Sequence, residues 1–247
     1  SNYGKIDILW YDVSWPLSSP EKWESRKMNR MARRLQPDII INNRSQLPED
    51  FGTPEGHLTA EAKGRAWEAC MTTNDSWGYQ KTLPEDWRTT RQVIEWVRTV
   101  ASGGGNLLLN IGPEPSGSVP PPGRKLLVPV GQWLAKNREA VYGKVDSVHG
   151  RFEWCGIGNW TLKGKTGYFW CSRWPGRKVV IGGLCTKVRK VSLLDGGKAV
   201  RFHQTPRQLI LEGLPAACPD KIAGIAVFKI HFASKPMQKL GCGYVCQ

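Results

Sequence analysis

Two short apolar runs constrain this chain more than any other feature. One is centred on Ile6, Ile8 and Leu9, the other is Ile39–Ile41. Each is short and apolar and reads as a buried strand. Between them, Ser18-Ser19-Pro20-Glu21 is a helix start, with a Ser cap, Pro in the first turn and an acid behind it. Trp23, Met28, Met31 and Leu35 follow at helical spacing, with Lys27, Arg30, Arg33 and Arg34 outside them, and the helix must stop before Pro37. Strand, helix, strand is the unit of a parallel sheet, because parallel neighbours are joined only through a crossover.

Both runs end in polar or aromatic groups. The first ends in Trp10-Tyr11-Asp12, ahead of Trp15-Pro16; the second ends in Asn42-Asn43-Arg44. Aspartate is poor in strands and costly to bury unpaired. In barrels of alternating strands and helices, chemistry sits at the C-terminal lip of the strands. Taken alone, this stretch leaves two readings open: Asp12 caps the next loop, or Asp12 does chemistry.

A loop of about twenty residues follows, from Ser45 to Arg65, and loops of that length inside compact domains are mostly functional or disordered. It holds Thr53-Pro54-Glu55-Gly56-His57. Trp67–Thr73 reads as a third strand and Asn74–Tyr79 as another lip loop. Thr89 or Thr90 caps a helix carrying Val93, Ile94, Val97, Val100 and Ala101, which Gly103-Gly104-Gly105 ends. Asn106–Ile111 is a fourth buried strand. A last helix carries Leu126, Leu127, Val130, Trp133 and Leu134 and stops near Gly143, with a kink expected at Pro129. The glycine triplet follows a helix and precedes a strand, the wrong order for a phosphate cradle.

From about Val145 the period changes. Tyr168–Ser172, Lys178–Ile181, Val188–Leu194, Ala199–His203, Gln208–Leu211 and Ile222–Phe232 are short runs with turn signals between them. Gly182-Gly183 and Asp195-Gly196-Gly197 read as hairpin turns. The expected result is an all-β module, a small sandwich. Its Trp154, Trp160, Trp170 and Trp174 either form a sugar-binding face or fill the core.

Composition narrows the partners. The net charge is +14, yet no run of five or more Lys/Arg occurs, so a basic surface toward an anionic polymer or acidic partner is expected, and no nucleic acid. No signal peptide is read, and no segment approaches the roughly 18 apolar residues of a membrane span, so no membrane partner is expected. The seven cysteines include no CxxC pair, Cys242 and Cys246 being the nearest approach. Free thiols and no metal site follow.

The motifs of the first half resemble the α-L-fucosidases of glycoside hydrolase family 29. They are LWYDVSWP at Leu9–Pro16, INNR at Ile41–Arg44, FGTPE at Phe51–Glu55, RAWEACMTTNDSWGY at Arg65–Tyr79, GGGNLLLNIGP at Gly103–Pro113 and NREAVYG at Asn137–Gly143. They occur in that family's order. The resemblance implies an α/β fold: a partial (β/α) barrel of about four strand-helix units over 1–143, then a β-sandwich over 144–247. It implies a retaining exo-glycosidase that cleaves α-L-fucosides, with Asp12 as nucleophile and Glu55 as general acid/base. Glu61 and Glu68 are rivals for the acid/base, Glu68 looking more like the structural partner of an arginine. Trp10, Arg44, Trp77 and His57 are implied as substrate-binding residues. An apolar setting near Phe51 and Trp77 is expected to keep Glu55, on a mobile loop, protonated. No cofactor is implied, and the partner is a fucosylated oligosaccharide or glycoconjugate.

Four barrel strands are counted, around Ile6–Asp12, Ile39–Arg44, Trp67–Thr73 and Asn106–Gly112, whereas eight close a barrel. Two raw edges remain, which are a liability. The family's sugar-positioning histidines lie upstream of the nucleophile, where this chain has only eleven residues. The expectation is a truncated fucosidase that forms a homo-oligomer, or one completed by a missing N-terminal half-barrel. The alternative is a barrel remnant that binds carbohydrate or a partner without cutting.

Overall fold

The computed structural model describes residues 2–12, 14–59, 64–81, 83–148 and 156–239. Glu61, Trp154, Cys155, Cys242 and Cys246 lie outside the described residues. The chain is α/β and divides into two compact units, Ser1–Met71 with Gly105–Leu109, and Thr72–Gly104 with Asn110–Gln247.

In the first unit β1 (Ile8–Leu9) leads through α1 (Ser25–Leu35) to β2 (Ile40–Ile41), and the two strands pair in parallel, Ile8 opposite Ile40 and Leu9 opposite Ile41. A parallel bridge from Asn42 to Phe51 carries the pairing on to β3 (Phe51–Gly52). β3 lies parallel to β4 (Ala66–Thr72), and β5 (Asn106–Asn110) takes the far side of β4. Ile41, Trp67 and Ala69 are buried here. A Cβ at Gly105 would stand 2.3 Å from the Trp67 ring, so only glycine lets the chain pass over that indole.

Three expectations change. The first and fourth strands are not buried and the second is only half so: Ile6 and Ile8 are exposed, β5 is at most half-buried, and Ile40 of β2 is exposed beside buried Ile41. Among the described residues β1 has one neighbouring strand, β2. Helix α1 begins at Ser25, behind Glu24 in the left-handed region (φ 53), with no side-chain cap; the Ser18–Glu21 stretch is turn. Its buried residues are Ser25 and Asn29, while Met31 and Leu35 of the apolar stripe are exposed. The polar face is turned inward because Asn29 bonds to Tyr11, Ser45 and Glu49.

In the second unit α2 (Thr90–Ser102) begins at a capping box, Thr89 and Gln92 each bonding the other's backbone N–H. The next helix, α3 (Pro121–Asn137), contains Pro129 and presses Trp133 against Trp170, ring centres 5.0 Å apart. The Trp133 indole N–H donates to the Ile225 carbonyl at 3.1 Å.

Seven strands follow: β6 (Gly158–Lys163), β7 (Thr166–Cys171), β8 (Lys178–Gly182), β9 (Val188–Leu193), β10 (Arg201–Gln204), β11 (Gln208–Glu212) and β12 (Ala226–Phe232). They form an antiparallel four-stranded sheet, β6-β7-β12-β9, and a three-stranded one, β10-β11-β8. Both contribute to one apolar core, with Trp160, Phe169 and Phe228 from the larger sheet and Val179, Ile181 and Leu209 from the smaller.

Of the two glycine turns, Asp195-Gly196-Gly197 closes a short hairpin, Ser192 bridging Ala199 antiparallel with the Leu193 N–H donating to the Lys198 carbonyl at 2.9 Å, whereas Gly182-Gly183 joins no hairpin among the described residues. β8 and β9 lie in different sheets, as do β9 and β10, so each turn carries the chain from one sheet to the other. Positive φ at Gly183, Gly196 and Gly197 serves either geometry, which is why the same sequence signal holds at Asp195-Gly196-Gly197 and misleads at Gly182-Gly183. Trp160 and Trp170 are fully buried, and Trp174 stacks on Phe228 at 5.9 Å, so these three indoles are packing residues.

Candidate active site

The site is built where β1 and β2 end. Asn42 is fully buried, and its backbone N–H extends the ladder to the Leu9 carbonyl at 3.3 Å. Its side chain then acts as one more strand residue. The amide nitrogen donates to the Tyr11 carbonyl at 2.7 Å, and the amide oxygen accepts the Tyr11 N–H at 3.0 Å. The Tyr11 hydroxyl donates to Asn29 Oδ1 at 3.0 Å, and Asn29 in turn donates to Ser45 at 3.2 Å and Glu49 at 2.6 Å. Burial, and secondarily the Glu49 charge, pushes the Tyr11 phenol above its ordinary range. Tyr11 is thus pinned through backbone and ring, and its neighbours Trp10 and Asp12 project to the opposite side.

Arg44, 15% exposed at its side chain, meets both carboxylates on that side. Its Nη1 donates to the Asp12 carbonyl at 2.8 Å and lies 3.5 Å from Asp12 Oδ1. Its Nη2 donates to Glu55 Oε2 at 2.5 Å. The Nε–H donates to Thr53 Oγ1 at 3.0 Å, and the Thr53 hydroxyl donates to Asn43 at 2.9 Å. The guanidinium carbon sits 4.7 Å from the Trp10 ring centre, a cation–π contact. The Trp10 indole N–H donates to Glu68 Oε1 at 3.0 Å. A planar fork with fixed donors can hold two carboxylates at once, which a single ammonium cannot do in the same geometry.

Glu55 does not sit on a free loop. Its segment runs parallel to β4, with Cys70 N–H donating to the Pro54 carbonyl at 2.8 Å and Gly56 N–H to the Cys70 carbonyl at 3.0 Å. Pro54 has no N–H to offer, but a ladder edge needs only its carbonyl there. Glu55 is 41% exposed at its side chain and meets the Arg44 charge, not an apolar wall. Cys70 is buried beneath these groups. Burial first, then the Glu68, Glu55 and Asp12 charges, pushes its thiol up against the pull of Arg44, to about 11. A thiol held that high is no nucleophile near neutral pH.

The family model described as Alpha-L-fucosidase matches residues 1–139. The chain belongs to the α-L-fucosidase family. It is 33% identical over 245 residues to the tissue alpha-L-fucosidase of Bos taurus, covering 90% of this chain and 51% of that protein. The alpha-L-fucosidase isoenzyme 1 of Paenibacillus thiaminolyticus superposes with a TM-score of 0.83 at 29% identity, over 94% of this chain and 59% of that one. The Thermotoga maritima α-fucosidase, solved in complex with a mechanism based inhibitor, gives 0.72 at 27% identity, over 91% and 52%. The chain spans about half the length of the curated relatives it matches.

Of the residues that the fucosidase resemblance points to, Asp12, Glu55, Arg44 and Trp10 are in mutual contact through Arg44. His57 is exposed two residues beyond Glu55 and makes no hydrogen bond or ion pair among the described residues. Trp77 belongs to the second unit, 45% exposed, its carbonyl accepting from the Asn110 amide at 2.7 Å. Glu68 partners an indole and not an arginine. Asn42 and Thr53 lie inside the INNR and FGTPE motifs but carry no role in the sequence reading. The polar pair Asn42-Asn43 at the end of a buried strand is the signal for the first, and the FGTPE motif the signal for the second.

Proposed function

We propose that this chain carries a retaining α-L-fucosidase site on the strands of a partial (β/α) barrel, with Asp12 as nucleophile and Glu55 as acid/base. The observation that carries this reading is the Arg44 fork, which touches both carboxylates. Retaining hydrolysis needs two carboxyls close together on either side of the glycosidic bond, about 5–5.5 Å apart. Asp12 attacks C1 of the fucose and forms a covalent fucosyl-enzyme, while Glu55 gives its proton to the departing oxygen. Glu55 then takes a proton from the water that releases the sugar. Asp12 is 83% exposed at its side chain, so an incoming sugar reaches it without displacing protein. Trp10 offers an aromatic face to the pyranose, and Arg44 transfers donors to the sugar hydroxyls. The substrate is a fucosylated oligosaccharide or glycoconjugate.

The test is nitrophenol release from 4-nitrophenyl α-L-fucoside, with azide added. Asp12→Ala loses turnover, and azide restores it with a β-fucosyl azide product. Glu55→Ala also loses turnover, and azide gives the α-fucosyl azide. Absence of turnover in the folded wild-type chain overturns the reading in favour of a barrel remnant that binds without cutting. The exposed Ile8, Ile40, Met31 and Leu35 are the apolar surface that a second copy or a further barrel segment would cover. Light scattering at micromolar concentration is expected to give more than a monomer.

A further inference from the structure

The +14 charge is not evenly spread. Residues 144–247 hold 17 Lys/Arg and 5 Asp/Glu, a net +12, whereas residues 1–143 hold 18 and 16, a net +2. The cations form no runs, but they favour one half of the chain. Most acids of the second half are already engaged. Asp195 pairs with Lys136 at 3.0 Å, Asp220 accepts the backbone N–H groups of Ile222, Ala223 and Ile225, and Asp146 accepts that of Gly164.

A cleft of about 530 Å³ opens in the second unit, lined by Arg177, Lys198 and Arg201 together with Leu214 and Pro215. Among the described residues no ion pair engages any of the three cations. Glu212 also lines it, but the β10–β11–β8 register sets Glu212 opposite both Arg201 and Lys178, one acid between two cations. Gly213 is in the left-handed region (φ +70), and a Cβ there would stand 2.8 Å from Arg201 Nη2. The glycine therefore leaves the room that the guanidinium occupies.

We propose that this cleft is a binding site for an acidic polysaccharide, one whose sugars carry sulfate or carboxylate groups. Three cations and apolar side chains lining one cleft fit a charged substituent on an apolar ring face. Among the described residues no aromatic side chain lines the cleft, and none offers the platform on which single-stranded nucleic acid stacks its bases. The choice of a glycan over other polyanions rests on the fucosidase reading; the cation cleft does not.

The test uses the full chain and four probes: dextran sulfate, polygalacturonate, uncharged dextran and poly(dT). Affinities are measured by calorimetry at low and moderate salt. Dextran sulfate or polygalacturonate is expected to bind with a steep salt dependence, the tighter of the two assigning sulfate or carboxylate, and dextran not to bind. R177Q/K198Q/R201Q weakens the tighter probe about tenfold and flattens the salt slope. R26Q/K27Q/R30Q on α1, with the same loss of charge, changes it less than about twofold. Unfolding midpoints of both triple variants check that each is folded. Poly(dT) binding as tightly as the acidic polysaccharides, equal losses in the two triple variants, or no binding to either acidic polysaccharide overturns the proposal. Asp12→Ala retains the binding, so an inactive chain that still binds sinks only the fucosidase reading.

Discussion

The side-chain amide of Asn42 bonds in both directions to the backbone of Tyr11, at 2.7 and 3.0 Å, and so fixes the peptide that joins Trp10 to Asp12. Replacing Asn42 by alanine leaves the Tyr11 N–H and C=O without that partner. The expected cost is about 1–3 kcal/mol in stability. Well below the unfolding midpoint, kcat on the nitrophenyl fucoside is expected to fall about 10²-fold, because on the proposed mechanism Asp12 is the nucleophile and is no longer held in line. A loss of stability with kcat intact would make Asn42 a packing residue only.

Arg44 engages two carboxylates with two different nitrogens. Arg44→Lys keeps the charge and removes the fork. We expect kcat/KM to drop about 10²-fold, some 2.7 kcal/mol of transition-state stabilisation, with little recovery relative to Arg44→Met. Steady-state kinetics of the two variants side by side check this.

Glu68 accepts the Trp10 indole N–H at 3.0 Å. As a positioning residue it is replaceable by glutamine, whose amide oxygen still accepts that bond. Glu68→Gln is therefore expected to keep most activity and Glu68→Ala to raise KM. If glutamine is as inactive as alanine, and azide rescues both, Glu68 and not Glu55 is the acid/base.

Cys70 is buried with its thiol pushed to about 11, whereas Cys185 is exposed. At pH 8 roughly one Cys70 thiol in a thousand is ionised. Iodoacetamide is expected to modify Cys185 in minutes and to leave Cys70 unmodified in the folded chain, as read by peptide mass spectrometry.

Two groups of the second unit set its response to acid. His231 is held below the ordinary histidine range by burial and by the Lys229 and Lys190 charges. Burial works to raise Glu139, but hydrogen bonds from Lys229 and Tyr168 overcome it and leave the carboxyl below its usual range. In both cases the unfolded chain takes up the proton first. The histidine contribution is present above about pH 6.5 and lost as pH falls through the lowered folded value; the glutamate contribution is lost at lower pH still. Unfolding midpoints against pH are expected to flatten in the upper window for His231→Gln and in the lower one for Glu139→Gln.

Much of this protein was written in the order of its residues. Ile39–Ile41, Trp67–Thr73 and the β runs after Val145 gave strands where strands stand, and Thr89 gave its cap, because each signal is local: a period, a hydroxyl three residues before its partner. Asp12, Arg44 and Glu55 stood out in the sequence as a candidate site through motif and residue type. Their meeting did not, since Arg44 reaches Asp12 across 32 residues and Glu55 across 11, and no local rule specifies which contacts a folded chain closes. The same holds for Asn42 under Tyr11 and for Met31 and Leu35, apolar by type yet exposed. Sequence determined which segments became strands and helices and which side chains carried charge. Tertiary structure alone decided which faces were covered, because burial depends on the neighbour that arrives and not on the residue that waits for it.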